Sequence, residues 1–259
     1  MKVLFCTLLV FITFAEPANL NTYILIQEGD IPILLTVPHG GYDKLDDASL
    51  RKVGVFKADL YTFELAESIN FYIQKKIGKK INIVAAKFSR KYIDANRPKE
   101  DAFKQESAEA QFLYNMYHQS IKNIIKNLKI KYPQGSLLID LHGQSKYPDS
   151  ICRGTQDGKT ITKLIKKCGS EGIIGTNSIL GYLQSKDYKI LPTDFLTTLE
   201  DPHFNGGYTV GQYGSHTSNG IDAIQLEVGI DIRSDLKKSE IFAQNLAQGI
   251  CNFYENYLN

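Results

Sequence analysis

Short runs of β-branched and aliphatic residues alternate along this chain with longer segments of helical periodicity, and that alternation leaves few folds open. Residues 23–27 and 33–37 read as strands flanking the turn-like EGDIP, and are expected to form a strand pair. From 57 to 76 Leu60, Phe63, Leu65, Ile69, Tyr72 and Ile73 recur at helical spacing. A strand at 81–88 follows, then the polar SRKYIDANRP (89–98), which Pro98 closes. A long amphipathic helix is expected over 106–129, and SLLID (136–140) reads as a buried strand running out into His142 and Gly143. Residues 169–199 alternate weakly and read as strand, helix, strand. A loop rich in Gly, His and Asn (201–220) precedes the strand DAIQLEVGI (222–230), and a helix over 235–257, with Ser234 as its cap, ends the chain. Strands separated by helices predict an α/β fold: one domain with an open, mixed and mostly parallel sheet covered by helices on both faces.

Apolar residues make up 43% and charged residues 22% of the 259, enough to bury a substantial core. The first residues, MKVLFCTLLVFITFAEPANL, have the tripartite form of a secretory signal peptide, with Thr13-Phe14-Ala15 as cleavage site. The apolar run from Val3 to Ala15 is shorter than the roughly twenty residues that span a bilayer. The expectation is a signal peptide at 1–15, a single catalytic domain at 16–259, export to the secretory lumen or beyond, and no membrane span after cleavage. Lys and Arg outnumber Asp and Glu by only 30 to 28, and the runs IQKKIGKKI (73–81) and IKNIIKNLKIK (121–131) read as solvated helix faces, so no nucleic-acid partner is expected. Cys6 would leave with the signal. Of the rest, Cys152 and Cys168 are expected to pair around the polar RGTQDGKT, with Cys251 a buried inert thiol.

In such sheets ligands gather beyond the carboxyl ends of the strands. His39 and His142 stand at such ends, each followed by glycine, which leaves room for a substrate or metal. Asp140, two residues before His142, reads as a buttress for that ring or as a residue that shapes the loop. His118 lies inside a helix with no acidic partner at ligand spacing and reads as a packing or surface residue. Two histidines and a carboxylate make the donor set of a catalytic zinc, which keeps an open position for water. Glu227 shares a strand face with Gln225 and sits among apolar neighbours, as a general base would. Asn96 and Arg97 offer an amide and a guanidinium fork for a substrate carboxylate, and Arg90 reads as a second anchor or as an ion-pair partner of Asp94.

PHGG (38–41), SRKYIDANRP (89–98), DLHG (140–143), NGGY (205–208) with QYG (212–214), and AIQLEV (223–228) occur in the order and spacing of one family. Over residues 33–233 the chain resembles the N-formylglutamate amidohydrolases and, more distantly, the zinc carboxypeptidases. The resemblance implies a carboxypeptidase-like fold with one zinc ion per chain. It makes His39 and His142 ligands, Glu227 the catalytic base, and Asn96 with Arg97 the carboxylate-binding pair. Carboxypeptidases place a Glu three residues after the first ligand, where this chain has Tyr42. The amidohydrolases resemble this chain in an Asp at the start of the next helix, which makes Asp59 the third ligand, with Asp43 and Glu64 as alternatives. Gly206, Gly207 and Tyr208 match the family's glycine-rich segment, where positive φ and exposed N–H groups would grip an anionic substrate; Tyr208 or His216 would assist there. The implied reaction is zinc-dependent hydrolysis of the amide of an N-acyl amino acid resembling N-formylglutamate. The alternative is a secreted carboxypeptidase-like peptidase acting on short peptides.

Overall fold

The computed structural model describes residues 22–195 and 197–259; the expected signal peptide lies outside them. The chain enters through β1 (Ile24–Gln27) and β2 (Ile33–Val37), and a long loop leads to α1 (Thr62–Ile77) and β3 (Asn82–Ala86). One turn, α2 (Lys99–Ala102), precedes α3 (Ala108–Lys131), whose cap Ser107 accepts from the Ala110 amide. Next come β4 (Leu137–Gln144), β5 (Ser150–Gly154), α4 (Thr162–Cys168), α5 (Glu171–Ile174), α6 (Ile179–Gln184) and β6 (Lys189–Leu191). The short α7 (Tyr208–Tyr213), β7 (Asp222–Gly229), α8 (Ile230–Arg233) and α9 (Leu236–Phe253) complete the chain.

The strands form one sheet in the order β1-β3-β2-β4-β7-β5-β6. Its centre, β3-β2-β4-β7, is parallel, while β1 and β5 run antiparallel to β3 and β7. Alternate side chains of the central strands are apolar on both faces. Leu35, Ile139, Leu141 and Leu226 pack under α1 and α9, and Leu34, Val84, Leu138 and Ala223 pack under α3. Each fully buried aliphatic side chain contributes about 1.5–3 kcal/mol, so this two-sided burial holds the α/β layers together. Among the described residues no helix is long and apolar enough to cross a membrane.

Several local expectations change. β1 and β2 do not pair, because β3 inserts between them. The linker at 28–32 crosses the start of β3 and is held there by Asn82, whose side chain accepts from the Gly29 amide and donates to the Ile31 and Ile33 carbonyls. Region 169–199 yields two short helices and one strand in place of strand, helix, strand. The segment expected as a disulfide-bound loop contains β5, bonded on both sides, and all three described cysteines are free. Cys152 is committed to the sheet interior while Cys168 ends α4. The cap of α9 is Asp235, not Ser234: its carboxylate accepts from the Lys238 amide at 2.9 Å. His142 lies within β4, which continues to Gln144 because β7 pairs with it through Gly229.

Candidate metal centre

Four elements deliver one cluster at the carboxyl edge of the central strands. His39 leaves the end of β2, and its carbonyl accepts from the Asp59 amide at 2.9 Å, so these two residues are stitched together by backbone. Asp59 precedes α1, where its own carbonyl accepts from the Thr62 hydroxyl at 2.7 Å. His142 on β4 is in register with Glu227 on β7, and Asp140 with Gln225, so all four side chains share one sheet face. All three prospective ligands are buried: His39 and His142 to 2% exposure and Asp59 to 8%.

Three atoms face one another: His39 Nδ1 and His142 Nδ1 are 3.2 Å apart, and Asp59 Oδ2 is 3.4 and 3.1 Å from them. A tetrahedral ion bonded at 2.0–2.1 Å requires ligand atoms about 3.3 Å apart, so this triangle fits zinc. The outer ring nitrogens are also engaged. His39 Nε2 lies 2.6 Å from Asp94 Oδ1, and His142 Nε2 lies 2.9 Å from Asp140 Oδ2. With each Nε2–H donating to its carboxylate, both Nδ1 atoms direct lone pairs at the Asp59 oxygen, an arrangement that calls for a cation. Burial acts against a charged His142, yet Asp140, Asp59 and Glu227 outweigh it and raise its pKa. Burial likewise acts to raise the Asp59 carboxyl, and the two imidazoles overcome it and hold it well below the usual range.

Glu227 Oε1 stands 4.0 Å from His142 Nδ1 and accepts from Gln225 Nε2 at 2.9 Å. Burial, reinforced by Asp59 against the pull of His142, pushes the Glu227 carboxyl up to about 7. Cys152 pairs with Glu227 in the sheet, and burial first, then the neighbouring Glu227 charge, pushes its thiol up to about 12. That thiol is an inert wall beside the base.

Of the acidic groups open as third ligand, only Asp59 reaches the imidazoles, since the side chains of Asp43 and Glu64 are exposed. Arg90 is an ion-pair partner, with Nε 3.1 Å from Asp94 Oδ2 and Nη1 3.6 Å from Asp59 Oδ1. Asn96 is a clip: its Oδ1 accepts from the Thr209 amide at 2.7 Å, joining the 89–98 loop to the start of α7. Arg97 is the freest of the set, half exposed, with Nε 3.9 Å from Asp94. Gly206 has φ 112°, as expected for this turn, while the Gly207 amide donates to Gln225 Oε1 at 2.7 Å and is thereby taken up inside the protein. Tyr208 turns toward α3 and meets the His118 ring edge-on at 5.6 Å, and His203 bonds Asp201.

Two neighbours of the cluster, Arg51 and Arg233, escaped sequence reasoning, and a third, Asp94, was read only as a partner of Arg90. Asp94 holds His39 while accepting from Arg90, with Arg51 3.5 Å away; its place two residues before Asn96 in the SRKYIDANRP motif was the available signal. Arg51 and Arg233 come from distant segments with no such signal. Arg233 donates to the carbonyls of Val228 (3.1 Å), Gln144 (3.3 Å) and Leu60, tying together β7, β4 and the Asp59 loop. Its guanidinium explains Gly143, where a Cβ would stand 2.4 Å from Arg233 Cζ. That glycine makes room for the protein itself and not for a ligand.

No family model matches the chain, and no curated protein matches it. Solved structures do share its fold. A gene product of Agrobacterium tumefaciens superposes with a TM-score of 0.62 at 12% identity, covering 91% of this chain and 96% of its own. The N-formylglutamate amidohydrolase of Ralstonia eutropha JMP134 superposes with a TM-score of 0.64 at 15% identity, covering 91% of this chain and 98% of that one. At such low identity the likeness is one of architecture, and the chain has the mixed-sheet α/β fold of that amidohydrolase over nearly its whole length.

Proposed function

We propose that this protein is a zinc-dependent amidohydrolase that cleaves the amide of an N-acyl amino acid bearing a carboxylate, a substrate resembling N-formylglutamate. The observation that carries the reading is the triangle of His39 Nδ1, His142 Nδ1 and Asp59 Oδ2, with Glu227 4.0 Å from one corner. One ion per chain would be held by those three atoms, and when bound it supplies Lewis-acid activation of water and of the amide carbonyl. Glu227 is the proton carrier. Gln225 fixes one of its carboxylate oxygens, and the other would take a proton from water and release it to the departing nitrogen. Arg97 is the group placed to meet the substrate carboxylate, since its guanidinium is exposed while Asn96 and Arg90 are occupied in holding the site. The apolar segment at 1–15 supports an exported enzyme that deacylates amino acids or short peptides outside the cytoplasm.

The test is metal content followed by kinetics. Purified protein should bind about one zinc per chain, as the three-ligand set requires. Glu227→Gln should keep that zinc and lose about 10²–10⁴-fold in kcat on N-formylglutamate. Arg97→Ala should raise KM for carboxylate-bearing substrates and leave neutral amides unaffected. A chain that takes up no divalent ion, or a Glu227→Gln variant with full activity, would sink the assignment.

A further inference from the structure

The lysines of residues 121–131, expected as a plain solvated face, flank a groove between α3 and the segment from α7 to Gly220. It consists of two hollows of about 710 and 850 Å³ that share Lys122, Gln212 and Tyr213 and so run into each other. The upper one begins at Tyr208 and Lys99. Tyr208 follows Gly207 directly, and Lys99 lies two residues past Arg97. The Tyr114 hydroxyl donates to the Arg97 carbonyl at 2.8 Å, which fixes the groove wall to the loop beside the metal centre. The lower hollow continues past Lys126 and Lys129, whose ammonium donates to the Ser218 carbonyl at 3.1 Å.

The chemistry of the lining is one-sided. Four lysines, 99, 122, 126 and 129, line it together with Tyr208, Tyr213 and Ile125, and none of its lining side chains is acidic. Lys122 and Lys126 are both exposed on one helix face and lie about 6 Å apart along the axis, close to the roughly 6.6 Å between alternate residues of an extended chain. From Phe112 to Ile130 the helix rises about 27 Å, the length of about eight extended residues.

We propose that this groove holds an extended acidic peptide, whose carboxylates meet Lys99, Lys122, Lys126 and Lys129 and whose chain passes Tyr208 to present an amide at the metal centre. The proposal rests on the amide-hydrolase reading and narrows it to a substrate class: an acylated oligopeptide rich in glutamate or aspartate. Nucleic acid would also satisfy the positive charge, but the peptide is the polymer whose own backbone carries the bond this centre would cut.

Two measurements separate the groove from the reaction. Fluorescence anisotropy of labelled octaglutamate on zinc-loaded Glu227→Gln protein reads binding without turnover. Adding Lys122→Glu and Lys126→Glu should weaken it by about tenfold or more, with binding that falls as salt rises and no binding of octaglutamine. In the active chain the same lysine pair should lower kcat/KM for N-formyl-octaglutamate by about tenfold and leave N-formylglutamate unchanged. If neither substrate is cut, the catalytic reading fails while the anisotropy still scores the groove. Equal octaglutamate affinity with and without the lysine changes would overturn the proposal, and so would tighter binding of octauridylate, which would assign the groove to nucleic acid.

Discussion

Asp94 and Asp140 fix the imidazoles of His39 and His142 from behind, and each is itself anchored. Asp140 accepts from the Thr36 hydroxyl at 2.6 Å, and Asp94 from the Asn96 amide at 3.1 Å. Asp140→Asn should therefore fold and weaken zinc binding by about 10–100-fold, measured by competition with a chelator. Asp94→Asn should in addition leave Arg51 and Arg90 buried beside a neutral amide, destabilising the fold by about 3–5 kcal/mol in urea denaturation. Gly143→Ala should cost about 1–3 kcal/mol through its clash with Arg233 and lower zinc affinity with it, since the displaced guanidinium ties the elements that carry His142, Glu227 and Asp59. At this scale the sequence pointed to His39, His142 and Glu227, which the fold brings to one cluster, because few histidines sit in such apolar surroundings and a lone carboxylate in an apolar strand is unusual in itself. It concealed the groups that hold them. Arg233 acts only through carbonyls that the fold brings together, and nothing in its neighbours announces that.

Among the elements, α3 carries a third buried histidine, His118, whose ionisation has a cost. Burial first, then the Lys122 charge, pushes His118 down to about 4, with its Nδ1 2.8 Å from the Tyr213 hydroxyl. Between the unfolded value of about 6.5 and about 4, the unfolded chain binds a proton that the native chain refuses, so stability falls as pH falls through that window, by up to about 3 kcal/mol. His118→Gln should flatten this dependence between pH 7.5 and 4.5, read as the urea midpoint; an unchanged slope would show that another group sets it. The long amphipathic helices and the four central strands were legible because each buries a regular pattern. β5 was not: Arg153 interrupts its apolar run, and only the fold reveals that Glu200 neutralises it at 2.9 Å. The pairing of β1 failed for a related reason, since no local signal tells two neighbouring strands that a third, arriving after a helix, will come between them.

For the molecule as a whole, the prospective ligand atoms are placed by bonds internal to the protein, and the apolar layers on both faces of the sheet do not involve them. Chelation should accordingly leave the far-ultraviolet circular dichroism unchanged and lower thermal stability only by the linkage term, about 4 kcal/mol at free zinc 1,000 times Kd. Loss of secondary structure on chelation would contradict this. The carboxylate behind each ring has a kinetic consequence as well. Rings that cannot swing aside need no rearrangement before an incoming ion arrives, so uptake should be paced by the ion shedding its hydration shell, first order in zinc and without a lag.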